Sequence, residues 1–274
     1  MQGTLVKMRT HLDADNGVQY HLPVGDQSLH LNPVIGKTLT LNFSGQIFCC
    51  HCGKKTKKSY AQGHCYPCMQ KLASCDMCIM KPETCHYDQG TCREPEWGQK
   101  NCYTPHYVYL ANTSGLKVGI TRHTQIPTRW LDQGATQGLP ILKVANRQLS
   151  GLVEVELAKL VNDKTHWQAM LKGNAEDLDL AAQAKLLLPH IEARLQSLLA
   201  EQGPDSIEVL HQATQAIDFP VTVFPTKVKS FNADKQPLIS GVLMGIKGQY
   251  LLFDTGVINI RKYTGYDVHV SVSE

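Results

Sequence analysis

No stretch of about 18 apolar residues occurs in the chain, so it offers nothing as long as a membrane-spanning helix. The opening residues, Met1-Gln2-Gly3-Thr4-Leu5-Val6-Lys7-Met8, lack the apolar centre and small-residue cleavage site of a secretory signal. A cytoplasmic protein is therefore expected, in a reducing compartment that disfavours structural disulfides. Strong charge is missing too. The net charge is +3 with 19% charged residues, too mild a balance to mark a nucleic-acid-binding protein by itself. No internal repeat or low-complexity tract is evident, which argues against solenoids and arrays. What is present is 42% hydrophobic residues in 274, enough for a sizeable core in one large domain or two to three modules.

The pattern along the chain predicts an α+β protein with five segments. Residues 1–48 carry short β runs, Thr4–Met8, Val18–Leu22 and the alternating Thr38–Phe43, punctuated by Gly17, Gly25-Asp26 and Asn32-Pro33. Residues 49–102 hold all ten cysteines and few periodic apolar residues, so this segment needs staples to fold. Residues 103–172 alternate: strands at 106–111 and 116–121, a short helix over 125–134, a strand at 139–145, and a helix from Ser150 to about Asn162. Residues 173–218 read as helical. Ile191, Leu195, Leu198 and Leu199 form one face behind Pro189, which suits a first helical turn, and Gly203-Pro204 ends the helix. A weaker helix is expected over Ile207–Ile217. Residues 219–274 return to β, with runs at 221–224, 238–246, 250–253, 257–260 and 268–272, and a β module formed by both chain ends is expected.

Cys49-x2-Cys52-Gly53-Lys54, then Cys65-x2-Cys68 after a gap of 12 residues, is the pattern of two tight knuckles that together close a tetrahedral thiolate shell around zinc. Cys50 is spare, and His51 and His64 are not needed. A second group comprises Cys75-x2-Cys78, Cys85, Cys92 and Cys102. Cys75, Cys78, Cys85 and Cys92 are the favoured second shell, with Cys102 as an alternative fourth ligand. Zinc is expected there as well, and an iron–sulfur cluster is the competitor, because spacing alone does not separate the two. A closed shell of four thiolates leaves no open position, so both sites are expected to be structural.

Val108-Tyr109-Leu110, then Lys117-Val118-Gly119-Ile120-Thr121-Arg122, then Arg129, then Glu154 resembles the GIY-YIG endonuclease fold. The strand and helix order read over 106–162 matches that fold: a hairpin with the two motif halves, a helix with an arginine, a third strand, and a helix with a metal-binding glutamate. The whole chain also resembles an uncharacterised prokaryotic family, domain-of-unknown-function family 2797. The residues that carry this likeness are the cysteine pairs, Val108-Tyr109-Leu110, Lys117 to Arg122, Gln133-Gly134-Ala135 and Gly245 to Leu252; it implies no established activity. The endonuclease resemblance implies Mg²⁺ or Mn²⁺ at Glu154, Arg129 on the scissile phosphate, and Tyr109 as a base or water-positioning hydroxyl. Lys117 stands where the second motif tyrosine would be and offers a cation for a phosphate oxygen. The departures are Tyr107-Val108-Tyr109 in place of Gly-Ile-Tyr, the lysine at 117, and ten positions between Gly119 and Arg129.

Each of these residues also has a plainer reading: Tyr107 and Tyr109 as sheet packing, Arg129 as a surface helix arginine, Glu154 as a solvated glutamate. Glu156 is an alternative to Glu154, but about 200° separates the two on a helix and Glu156 would share the polar face with Lys159. Lys54, Lys55, Lys57 and Lys58 form either a solvated loop or a phosphate-contacting patch. Arg261, Lys262, Tyr263 and Tyr266 mix cations with aromatics, more in the manner of surface decoration than of base stacking. Asp254-Thr255-Gly256 occurs once and sits in a hairpin context, which argues against aspartic-protease chemistry. The sequence thus points to a metal-dependent nucleic-acid phosphodiesterase, or to a non-catalytic zinc-stapled module that binds nucleic acid or protein.

Overall fold

The computed structural model describes residues 1–161 and 164–274. The N-terminal part forms β1 (Gln2–Thr4), β2 (Arg9–Leu12), β3 (Val18–Val24), β4 (Gln27–His30), β5 (Thr38–Phe48) and β6 (Lys55–Thr56). The cysteine-rich stretch contributes α1 (Tyr66–Lys71) and α2 (Pro95–Asn101), joined by single 3₁₀ turns. Then come β7 (His106–Asn112), β8 (Leu116–Arg122), α3 (Thr128–Gln133), β9 (Gln137–Val144), α4 (Arg147–Leu157), α5 (Trp167–Lys172), α6 (Leu180–Gln202), β10 (Ile207–Val209) and β11 (Gln215–Ala216). The chain closes with β12 (Leu238–Lys247), β13 (Tyr250–Phe253), β14 (Gly256–Asn259) and β15 (Tyr266–Ser273).

All three sheets are antiparallel. Strands from the two chain ends share one sheet in the order β1-β15-β5-β12-β13-β14, with β6 on β5. The β2-β3-β4 meander forms a second, and the third runs β10-β9-β7-β8, so β7 is central and β8 is the edge. The faces of the third sheet separate two cores. Val108, Leu110, Val118 and Ile120 point to α4 and α6, meeting Leu149, Val153 and Leu157 and the stripe Leu180, Ala184, Leu187, Ile191, Leu195 and Leu198. Tyr109 and Ala111 point the other way and pack, with Trp130 and Leu131 of α3, among Leu39, Leu41, Ile246, Val268 and other residues of the end strands. Alternation along a strand produces this division, since neighbouring side chains take opposite faces.

Several sequence expectations are corrected. Residues 207–217 form no helix; Ile207–Val209 and Gln215–Ala216 pair with the outer edge of β9, whose free backbone groups satisfy theirs. Pro189 lies inside α6, which begins nine residues before it and is capped by Asp179 accepting from the Ala182 N–H. The proline is exposed, so the carbonyl it leaves unbonded can reach water. Residues 221–224 make only a bridge from Val221 to Gly245. Helix α4 starts at Arg147, three residues before Ser150, because Asn146 accepts from the Leu149 N–H at 2.9 Å; the helix ends at Leu157, and the expected end at Asn162 lies outside the described residues. Asp254-Thr255-Gly256 is the β13–β14 turn, and the Asp254 carboxylate accepts from the Val242 N–H at 3.1 Å. Tyr263 is buried and Arg261 Nε donates to Gln62 Oε1 at 2.7 Å, so that group does not present a stacking platform. Among the described residues, no helix is long and apolar enough to cross a membrane.

Candidate functional site

Tyr109 stands opposite Gly119 in the β7–β8 pair. A Cβ at Gly119 would lie 2.5 Å from the Tyr109 oxygen and 2.6 Å from Cζ, so the phenol ring lies across the bare glycine toward the sheet edge. Its hydroxyl donates to Gln133 Oε1 at 2.8 Å, and the Arg129 guanidinium lies beside it. Arg129 and Gln133 are one turn apart on α3, which lets both grip one oxygen. The helix is held in turn by Trp130, whose ring occupies the space a Cβ on Gly138 of β9 would fill, and by Gly134, whose φ of +71° closes its C-terminus.

Tyr109 has no exposed surface, and burial raises its pKa while the Arg129 charge opposes that rise. Arg129 is half-buried; burial lowers its pKa, and Tyr109, Asp132 and Glu154 raise it to a net increase. Glu154, half-buried on α4, interacts electrostatically with both Tyr109 and Arg129. The structure therefore places Arg129 beside Tyr109, with Glu154 near enough for its charge to act on both. Lys117 is 4% exposed and lies on the Tyr109 face two pairs nearer the hairpin turn, opposite Ala111. Glu156 belongs elsewhere: it pairs with Lys159 at 2.5 Å. Gln133 and Asp132 escape sequence reasoning, although Arg129-x3-Gln133 is the spacing of a helical clamp. Asp132 accepts from Lys7 Nζ at 2.6 Å and from Gln249 Nε2 at 2.8 Å, tying α3 to both chain ends.

The first cysteine quartet is gathered. The sulfurs of Cys49, Cys52, Cys65 and Cys68 all lie within 4.8 Å of one another, and Cys52 and Cys65 are 3.8 Å apart. Four thiolates at zinc's usual bond length of about 2.3 Å span tetrahedral edges of about 3.8 Å, so the donor set and spacing fit one zinc ion. β5 leads into the first knuckle, and β6 returns beside it through the Ile47–Thr56 and Phe48–Lys55 pairs. The second knuckle opens α1, where Cys65 is the N-cap. Burial pushes the Cys49 thiol up, but backbone N–H groups of Cys52, Cys65 and His51 donate to its sulfur and bring it down to about 6. Lys54, Lys55, Lys57 and Lys58 are all exposed on this loop.

A model of the family described as "Protein of unknown function (DUF2797)" matches residues 36–268. The chain belongs to this family. No curated protein and no solved structure matches it. In this DUF2797 chain the remaining cysteines divide unequally. Cys78, Cys85, Cys92 and Cys102 line one cavity, together with Asp76, Tyr87 and Trp97. Cys75 does not line it. Cys78, Asp76 and His86 also offer ligand atoms within 4.8 Å of one another.

Proposed function

We propose that the chain is a zinc-stapled, divalent-metal-dependent phosphodiesterase acting on nucleic acid, with a core of the GIY-YIG kind. The reading is supported by Arg129 of α3 lying beside Tyr109 of β7, with the Glu154 charge of α4 acting on both. Arg129, held by its three neighbours as a fixed cation, binds the scissile phosphate. Its Nε is buried without a hydrogen-bond partner, a donor that a phosphate oxygen would satisfy. The Tyr109 hydroxyl is buried with a raised pKa, so its part is to position Arg129 rather than to take a proton. Mg²⁺ or Mn²⁺ at Glu154 would supply Lewis-acid stabilisation of charge on the phosphate, and one carboxylate plus phosphate oxygens is a sufficient set for such an ion. Zinc in the Cys49, Cys52, Cys65 and Cys68 shell holds the basic loop 54–58, which supplies sequence-independent phosphate contacts.

The test is hydrolysis of a panel of DNA and RNA substrates with Mg²⁺ or Mn²⁺. Arg129→Ala and Glu154→Ala are each expected to lower the rate by about 100-fold or more. Equal rates in all three proteins would remove the catalytic reading. The burial of Tyr109 and Lys117 favours a second one, a non-catalytic module that binds nucleic acid or protein. On that reading, if the ligand is nucleic acid, it is retained without cleavage, and affinity falls with salt and with loss of Lys54–Lys58.

A further inference from the structure

The two cysteine quartets differ in a way that bears on what each holds. In the first, the sulfurs touch, as four ligands of one ion must. In the second, Cys78, Cys85, Cys92 and Cys102 face one another across a cavity of about 20 Å³. Among the described residues, these four sulfurs do not all lie within 4.8 Å of one another. A water molecule needs roughly 10–15 Å³, so the space exceeds what a lone ion between contacting thiolates leaves. The spacing differs too. Zinc shells draw ligands in pairs from tight knuckles, as Cys49-x2-Cys52 and Cys65-x2-Cys68 do. Here Cys75 leaves the only such knuckle, and the four remaining thiols arrive singly from separate turns. The rest of the lining is mostly apolar and aromatic, with Ile79, Tyr87 and Trp97, and includes one carboxylate, Asp76.

We infer that Cys78, Cys85, Cys92 and Cys102 hold an iron–sulfur cluster of the four-iron type, one thiolate to each iron. Such a cluster separates its cysteine sulfurs by its own width and fills the space between them. Its negative charge meets two arginines: Arg147 interacts with Cys78 and Cys102, and Arg122 with Cys102. The site is strapped to the start of α4. The Arg147 N–H donates to Cys102 O at 2.8 Å, Arg147 Nη2 to Ile79 O at 2.6 Å, and Gln148 Nε2 to Cys85 O at 3.2 Å. Pro82 and Glu83, between the ligands, press on Gly151, where a Cβ would meet Pro82 Cβ at 2.6 Å. The cluster therefore sets the position of the helix that carries Glu154. Cys75 and Cys50 are not ligands.

The experiment is anaerobic purification of the full chain from iron-supplied cells, followed by iron, acid-labile sulfide and zinc analysis, visible absorption, and electron paramagnetic resonance after dithionite reduction. About four iron, four sulfide and one zinc per chain are expected, with a brown absorption that bleaches on reduction and a signal from the reduced cluster. Cys102→Ala is expected to lower iron at least twofold while zinc stays near one per chain, which separates loss of the cluster from loss of the fold. Cys75→Ala is expected to keep iron and spectrum unchanged. Two zinc ions without iron or sulfide would overturn the assignment, as would loss of iron in Cys75→Ala with retention in Cys102→Ala. None of these readouts depends on cleavage of nucleic acid.

Discussion

Gly119 illustrates how one missing side chain can organise a site. The glycine lies in a strand, where it weakens packing unless something occupies the space above it. Tyr109 occupies that space, and the ring's position decides where its hydroxyl meets Arg129 and Gln133. Gly119→Ala would place a methyl group 2.6 Å from Cζ, too close to accommodate without moving the ring. The expected cost is about 1–3 kcal/mol, the usual range for overpacking a filled core. Urea unfolding checks it: the midpoint falls with an unchanged slope, whereas an unchanged midpoint would mean that the ring repacks without cost. The resemblance singled out Tyr109, Arg129 and Glu154 by their order along the chain. It did not bring out the clamp, because Gln133 and Asp132 look like ordinary polar helix residues until the helix is docked.

At the scale of elements, legibility followed the strength of the local pattern. The hairpin of β7 and β8, the strand β9 and the helices α3 and α4 were readable because their apolar spacing changes from two to three or four residues at each boundary. Residues 207–217 were not, since Ile207–Val209 becomes a strand only by pairing with an edge that lies more than 60 residues earlier in the chain. The first quartet was legible from spacing, whereas the gathering of Cys78, Cys85, Cys92 and Cys102 around one cavity was not. Cys75 and Cys78 look like a pair in sequence, yet only Cys78 lines the cavity with Cys85, Cys92 and Cys102. The first quartet carries its own prediction. The loop from Cys49 to Cys68 has little regular structure beyond the two-residue β6 and the start of α1, so a zinc ion on the four thiolates would be its main restraint. Chelation, or Cys65→Ala, is expected to open trypsin cleavage at Lys54–Lys58 while far-ultraviolet circular dichroism stays nearly constant. The same cleavage pattern in zinc-loaded and zinc-free protein would show that the loop is held by other means.

Across the whole molecule, the end sheet and the Tyr109 face of the central sheet share one core. Tyr109, Trp130 and Leu131 are buried against strands that come from both chain ends. A polar joint reinforces the contact. The Asp132 carboxylate, 6% exposed, accepts from Lys7 and Gln249, and Gln249 closes on the Met8 backbone, accepting its N–H at 2.8 Å and donating to its O at 3.1 Å. Gly248, with φ of +62°, brings this turn to 3.2 Å from Asp132 O, measured from where its Cβ would stand. A surface ion pair contributes little, but this carboxylate is enclosed and its removal leaves one N–H of the Gln249 amide without its partner. Asp132→Ala is therefore expected to cost about 1–3 kcal/mol, although residue 132 touches neither cysteine quartet. Because the apolar core is continuous across the joint, unfolding is expected to stay cooperative, with tryptophan fluorescence and circular dichroism reporting one midpoint in both wild type and variant. Two separated transitions in the wild type would show that the chain ends fold independently of the central sheet. In that case the burial of Tyr109 would be a docking contact, and the face carrying Arg129 could open to a nucleic acid without unfolding the rest.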